Sequence, residues 1–292
     1  MKIQTIFTPG VRWATISLSV ALISMVYLAN RATAQDVTLS NGGSSVTFNL
    51  GGGSDPIGMN NWMVDSDPGV NQLDQQWFWY SIYNGTTWSP VQPINQIGGL
   101  SSSISGSTLT ATYQNSTLAV ALQYTLTGTG GGSGGAILSE SVNVLNLSSS
   151  SFDIDFWQYG HFNLLQHSDN TVNIGGSPGA YSFVSQSTTG GGNGMEETLN
   201  NPYANYAETG DPGTVMSDVA AGKQLNGTTA AGPGDEAWGL EWTDTDGSGD
   251  LWNVLQGENM SIQPAPEPAT ICLLGLGLSA LGLARRSSKR KI

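Results

Sequence analysis

The chain has 292 residues, of which 11% are charged, and glycine is abundant with 39 copies. All 22 acidic residues lie between Asp36 and Glu267, where Lys223 is the one lysine or arginine, so this segment carries a formal charge of about −21. A body of this charge repels phosphate backbones, which argues against nucleic acid as a partner. The small charged fraction also excludes a coiled coil and a charge-rich disordered chain.

Residues 1–34 have the pattern of a secretory signal peptide. Lys2 contributes to a basic start, and residues 14–29 form an uncharged apolar run. The Ala-Thr-Ala pattern that ends at Ala34 predicts cleavage before Gln35. The alternative is an apolar run that is retained as a membrane anchor. The run is shorter than the ~20 residues of a usual spanning helix, so we predict cleavage.

Residues 264–292 form three consecutive segments. Pro266, Glu267 and Pro268 belong to a proline-rich lead-in that resists helix formation, because each proline fixes φ and removes a hydrogen-bond donor. Residues 269–284 are uncharged and apolar, and they predict a short transmembrane helix. A basic stop follows, which consists of Arg285, Arg286, Lys289, Arg290 and Lys291. The positive-inside rule keeps this stop in the cytoplasm and the acidic body outside. The alternative, a buried C-terminal helix of a soluble domain, leaves the basic stop unexplained.

This order of motif, apolar helix and basic cluster resembles the PEP-CTERM sorting signal. That signal is found on exported proteins of Gram-negative bacteria that also make extracellular polysaccharide. The resemblance implies that an exosortase, a membrane-embedded protease or transpeptidase, is a partner and processes the tail. It implies a membrane-anchored intermediate, whose body is then released or attached at the cell surface or in the extracellular matrix. Extracellular polysaccharide is the further partner that the resemblance implies.

Between Gln35 and Gln263 the sequence pattern is β throughout. Runs that alternate apolar and polar residues are separated by turn signals, and Asn41-Gly42-Gly43 predicts a hairpin. The predicted strands cover residues 37–39, 46–50, 76–82, 108–113, 118–127, 137–147, 152–159, 172–174, 181–185, 237–243 and 260–263. Residues 214–221 predict a short helix, and residues 187–235 have the least pattern, which predicts a surface excursion or partial disorder. We therefore predict one all-β domain, an antiparallel β-sandwich or jelly roll.

The clearest cluster of oxygen-bearing side chains comprises Asp244, Asp246, Ser248 and Asp250. Alternate oxygens on a glycine-containing turn suit calcium, which binds several hard oxygen ligands. Leu255 stands where an EF-hand loop requires a glutamate, so the sequence excludes a regular EF-hand. Two interpretations remain. One is a looser calcium loop, which makes calcium the candidate cofactor, and the other is a solvated acidic turn between two strands.

A second candidate site is one face of the strand predicted at 152–159. Alternation places Asp153, Asp155, Trp157 and Tyr159 on the same side of this strand. Aromatic rings beside carboxylates can stack on sugar rings and hydrogen-bond to their hydroxyls, so this face is a candidate sugar-binding site. The alternative is that Trp157 and Tyr159 belong to the core, as large aromatic residues commonly do.

Catalysis has less support in the sequence. Glycoside hydrolysis needs two carboxyl groups on either side of one bond, and spacing alone selects no pair here. The candidates are Asp153, Asp155, Glu196, Glu197, Glu236 and Glu241. His161 and His167 could share a strand face, but the sequence identifies no further metal ligands.

The sequence therefore predicts a non-catalytic exported protein with a structural, adhesive or binding role. The alternative is a secreted carbohydrate-active protein, either a calcium-dependent sugar-binding module or a glycosidase.

Overall fold

The computed structural model describes residues 36–51, 57–188 and 192–264, which form two antiparallel β-sheets. Strands are numbered in chain order. From edge to edge, sheet A contains β1 (Asp36–Asn41), β2 (Ser44–Asn49), β3 (Gly58–Met63), β4 (Leu73–Tyr83), β10 (Phe152–Phe162), β16 (Ala237–Asp246) and β14 (Tyr206–Gly210), with β5 (Gln92–Pro93) paired to β4.

Sheet B has nine strands, and its middle strand is the last one of the described chain. From edge to edge it contains β15 (Ala230–Gly234), β11 (Asn170–Ser177), β12 (Ala180–Thr188), β13 (Gly192–Ala204), β17 (Leu251–Pro264), β9 (Gly135–Asn146), β8 (Leu118–Gly128), β7 (Thr108–Gln114) and β6 (Ser101–Ser105). The two sheets therefore form an antiparallel β-sandwich, as the sequence predicted.

Aromatic side chains fill much of the space between the sheets. Phe78 of β4 stacks on Phe156 of β10, with 5.3 Å between the ring centres. Phe156 also meets Trp252 of β17 edge to face at 5.6 Å. Because Trp252 belongs to sheet B, these contacts join the two layers through large buried apolar surfaces, the main source of folding free energy.

The predicted helix is present as α1 (Pro212–Ala220), and it lies on the outer face of sheet A. Asp211 caps it, because its carboxylate accepts a hydrogen bond of 3.0 Å from the backbone N–H of Thr214. Val215 and Val219 pack over Gly239 of β16, where a Cβ atom would lie 3.3 Å from each valine. The glycine thus permits the helix to approach the sheet closely.

The predicted hairpin and the alternating strands are confirmed, but the prediction for residues 187–235 is wrong. This segment contains β13, β14, α1 and β15. β13 was missed because its pattern is inverted: Glu196 and Thr198 face the core, while Met195 and Leu199 face outward. Strand prediction from alternation assumes that the apolar side faces the interior. In β13 the polar side is buried and the apolar side is exposed, so this assumption fails.

Candidate functional site

The predicted sorting signal begins where the last described strand ends. β17 ends at Pro264, and the rest of the signal, residues 265–292, lies outside the described residues, as does the predicted signal peptide with its cleavage site. Within residues 36–51, 57–188 and 192–264, no helix has the length and apolar content to cross a membrane.

The predicted sugar-binding face is the outer face of sheet A, where β10 pairs with β16. In the register of these strands Asp155 lies opposite Thr243, and Trp157 lies opposite Glu241. Asp155 and Glu241 are therefore diagonal neighbours, with Cα atoms on the order of 7 Å apart. The fold thus brings together Asp155 and Glu241, two of the six acidic candidates that sequence spacing left open.

The aromatic members of this face are covered. Trp157 and Tyr159 are only 1% and 3% exposed. The loop after α1 lies over Trp157, since a Cβ atom at Gly222 would be 3.6 Å from its ring. Trp79 meets Tyr159 edge to face at 6.4 Å. The two predicted stacking rings are thus packed as core residues, while Asp153 and Asp155 remain half-buried.

Both carboxyl groups of the diagonal pair titrate at unusually high pH. Burial raises the pKa of Asp155 to about 6, and the charge of Asp153 adds to the effect. Burial raises the pKa of Glu241 to about 7, with a smaller contribution from Asp155 and an opposing one from the Leu225 N–H. That N–H donates a hydrogen bond of 3.0 Å to a Glu241 carboxylate oxygen. Glu241 is only 3% exposed beneath the loop that carries Leu225, so burial accounts for most of its raised pKa.

His161 lies further along the same face of β10, between two carboxylates. Its Nε2 is 2.8 Å from an Asp235 carboxylate oxygen, and its Nδ1 is 3.5 Å from one of Asp74. Burial raises the pKa of Tyr159, and the charges of Asp235 and Asp74 raise it further. No sequence pattern could place Asp74 and Asp235 beside this histidine, because the two residues come from distant segments.

His167 does not share the strand face with His161. β10 ends at Phe162, and His167 follows a 3-10 turn at Leu164–Gln166. The two histidines therefore do not extend along one strand as the sequence allowed.

The acidic cluster at 244–250 comprises the end of β16 and its connection to β17. The Asp250 carboxylate accepts a hydrogen bond of 3.0 Å from the Gly247 N–H, and the Ser248 hydroxyl donates one of 2.7 Å to the Ser148 carbonyl. Asp246 is buried at the end of β16, and Asp244 is half-buried on the same strand. In the part of the chain that the structure describes, no three His, Cys, Asp or Glu side chains are arranged to hold a metal ion. The calcium loop stays a prediction.

Sequence reasoning missed a layer of buried carboxyl groups between the sheets. Glu140 on β9, Glu196 on β13 and Glu258 on β17 all face inward and are almost completely buried. The Gln76 side-chain amide, from sheet A, donates a hydrogen bond to Glu258. Burial raises the pKa of all three carboxyls, and the charge of Glu258 raises the other two further.

Amide side chains complete this buried polar layer. The Gln256 Nε2 donates to the Gln158 Oε1 at 2.6 Å and to the Asn200 Oδ1 at 2.7 Å. Gln158 belongs to sheet A, so the contact joins the two sheets. Lys223, the one lysine or arginine among the described residues, is exposed and paired with Asp218. No described cation therefore neutralises the layer, which favours the protonated, uncharged carboxyl groups.

Comparison with known proteins identifies the C-terminal segment. Residues 264–291 match the PEP-CTERM protein-sorting motif, which confirms the sorting signal. A protein with this signal is exported, anchored in the membrane and then placed at the surface after exosortase processing. No curated protein matches the chain in sequence.

Two solved structures illustrate the likeness of the body. A bacterial glucoamylase complexed with acarbose has a TM-score of 0.50 at 12% identity, over 85% of this chain and 36% of that one. A galactose mutarotase-like protein from Lactobacillus casei has a TM-score of 0.49 at 11% identity, over 78% of this chain and 100% of that one. The chain spans little more than a third of the glucoamylase chain, and at this identity the likeness shows the fold alone.

Proposed function

We propose that the body is a structural, adhesive or binding module of the cell surface or matrix, delivered there by its exosortase signal, and that it has no catalytic activity. The observation that carries this proposal is where the signal begins. It starts at Pro264, the last residue of β17, in the middle of sheet B.

This junction suits a protein that is held by its C-terminus. β17 is hydrogen-bonded to β13 on one side up to Pro264 and to β9 on the other side up to Ser261. A pull on the tail is therefore shared between two neighbouring strands. An edge strand would transmit the same load through one ladder only.

The sorting step is tested in the native host by replacing Pro266, Glu267 and Pro268 with alanine. Because the apolar segment and the basic stop remain, the full-length tail should stay in the membrane fraction. The matched control replaces Ser287 and Ser288 with alanine in the same tail, and its processing should be normal. Mass spectrometry of the C-terminus reads both results. Normal tail removal in the motif variant would show that the motif is not the processing signal.

A second candidate function is carbohydrate binding or cleavage at the outer face of sheet A. The diagonal Asp155–Glu241 pair favours it, because two neighbouring carboxyls on this face have raised pKa values. Glycan-array binding and turnover of model glycosides should then be lost in Asp155→Asn and Glu241→Gln. Asp36→Asn, on the edge strand β1, is the control. If the unmodified protein bound glycans without cleaving them, the body would be a sugar-binding module. If it neither bound nor cleaved them, the first proposal, a non-catalytic structural role, would stand.

A further inference from the structure

The outer face of sheet B is almost free of charge, although the body as a whole is strongly acidic. Alternation places the odd-numbered residues of β8, β9, β17 and β13 up to Asn201 on this face, and most of their even-numbered neighbours are buried. The outward residues are mainly Ser, Thr, Asn, Gln, Gly and Leu, and Glu197 is the one acidic or basic side chain among them. The outer face of sheet A, in contrast, carries Asp155 and His161, and Asp74 lies beside the histidine.

Exposed apolar side chains cluster on this neutral face. Leu199 on β13 is 53% exposed, and Leu255 on β17 is 46% exposed. Leu199 lies opposite Gly257 in the register, which makes Leu255 its diagonal neighbour. Above Gly257, the position of a Cβ atom has no other atom within 4 Å, so the glycine leaves a recess beside the two leucines. We call Leu199, Leu255 and this recess the leucine patch.

Charge limits what can cover the leucine patch. Two copies of a body near −21 repel each other wherever acidic surfaces meet, but they can approach through a face that carries one carboxylate. The cores of homodimer interfaces are depleted of charged residues, as this face is, and enriched in apolar ones, which the two exposed leucines supply here. A two-fold pairing also brings the same patch of both copies together, so a leucine of one copy can fill the Gly257 recess of the other.

The size of the face is sufficient for such an interface. β12, β13, β17, β9 and β8 are adjacent in sheet B, and β17 pairs with β9 from Leu251 to Ser261. Five strands spaced about 4.8 Å apart, over a paired length of about 35 Å, give a footprint on the order of 800 Å². A standard interface buries about 800 Å² on each partner.

We propose that the outer face of sheet B is a self-association surface, through which a second copy of this chain packs face to face on the leucine patch. In such a dimer the acidic outer faces of sheet A point away from the interface. The surface role of the body and the site at Asp155 and Glu241 are independent of this pairing.

Sedimentation equilibrium of the exported protein, purified from its native host, tests the proposal. The unmodified protein should be a dimer in 150 mM salt at micromolar concentration. Leu199→Lys and Leu255→Lys each place a charge in the interface and should raise the dimer dissociation constant at least about tenfold. Ile104→Lys is the matched control, because Ile104 is 50% exposed on the edge strand β6 of the same sheet, and it should leave the constant unchanged.

Circular dichroism should show the same β content in all variants, since each changed side chain is exposed. A monomer at concentrations up to about 100 µM would overturn the proposal. A dimer that persists in Leu199→Lys and Leu255→Lys would also overturn it, because the interface would then lie elsewhere. The proposal would also be overturned if the protein were a monomer that binds a neutral polysaccharide such as dextran and if Leu255→Lys abolished this binding. The face would then be a glycan-binding surface.

Discussion

Asp246 ends β16 with its side chain buried, and its Oδ2 has no hydrogen-bond partner among the described residues. Burial raises its pKa to about 7, and the nearby charges of Asp244 and Asp250 raise it further. The folded protein therefore holds a proton on Asp246 that the unfolded chain releases near its ordinary pKa of 3.8. The associated stability is complete below that value and is lost as the pH rises through about 7.

Replacing Asp246 with asparagine should stabilise the fold above pH 7, because it removes a buried charge that the neighbouring aspartates repel. We expect a gain of about 2 kcal/mol in the free energy of unfolding at pH 8. At pH 5 the gain should be smaller, because the folded state still holds the Asp246 proton and only the unfolded chain has released it. Urea unfolding at both pH values in EDTA measures the difference. An equal gain at pH 5 and pH 8 would contradict the raised pKa.

The strands β9, β13 and β17 each contribute one glutamate to the buried layer, so the layer is a property of sheet B rather than of one residue. Glu258 lies opposite Thr198 on β13, and Gln256 lies opposite Glu140 on β9. Tyr124 on β8 lies opposite Glu140 and faces the same interior. Because the sheets bring no described cation to this layer, its carboxyls stabilise the fold only when they are protonated.

The stability of the fold should therefore fall from acid to alkaline pH. The raised pKa of Glu258, about 8, means that its contribution is complete below its ordinary value of 4.5 and is lost through about pH 8. Glu258→Gln keeps the shape without the charge and should reduce the loss between pH 5 and pH 9 by about 2 kcal/mol.

The matched control for Glu258→Gln is Glu197→Gln, because Glu197 lies on the outward face of β13. Its unfolding free energy should follow the pH profile of the unmodified protein. Chemical unfolding at pH 5, 7 and 9 gives the pH profile of the unfolding free energy for the unmodified protein, Glu258→Gln and Glu197→Gln. If the unmodified protein were as stable at pH 9 as at pH 5, the buried carboxyls would not be held in the protonated form.

Strands whose burial pattern follows from their own residues could be predicted from the sequence. Strands whose burial pattern depends on contacts with the other sheet could not. β10 alternates Phe152, Ile154 and Phe156 inward, so its strand and its faces were predictable. β13 has its polar side inward, because Thr198 and Asn200 meet the amides and carboxyls of the buried layer. The Asp155–Glu241 pair was not predictable either, since only the register of β10 with β16 brings these distant residues together.

At the scale of the whole molecule, charge separates the two sheets. The outer face of sheet A and the loops carry most of the carboxylates, while the outer face of sheet B carries Glu197. The segment from Asp36 to Glu267 contains all 22 acidic residues and a single lysine. Repulsion between these carboxylates is therefore concentrated on the acidic side of the protein. The neutral side remains free for contact with uncharged surfaces.

Salt should stabilise the folded body by screening this repulsion. Raising sodium chloride from about 10 mM to about 150 mM shortens the Debye length from roughly 30 Å to roughly 8 Å, so the melting temperature should rise.

Calcium chloride at matched ionic strength separates screening from binding. If Asp244, Asp246, Ser248 and Asp250 form a calcium loop, calcium at one hundred times its dissociation constant adds about 2.7 kcal/mol to the free energy of unfolding. Asp246→Asn should then abolish the calcium increment and leave the sodium effect intact. Equal shifts from calcium and matched sodium in the unmodified protein would instead show that the cluster binds no calcium and that both salts act by screening.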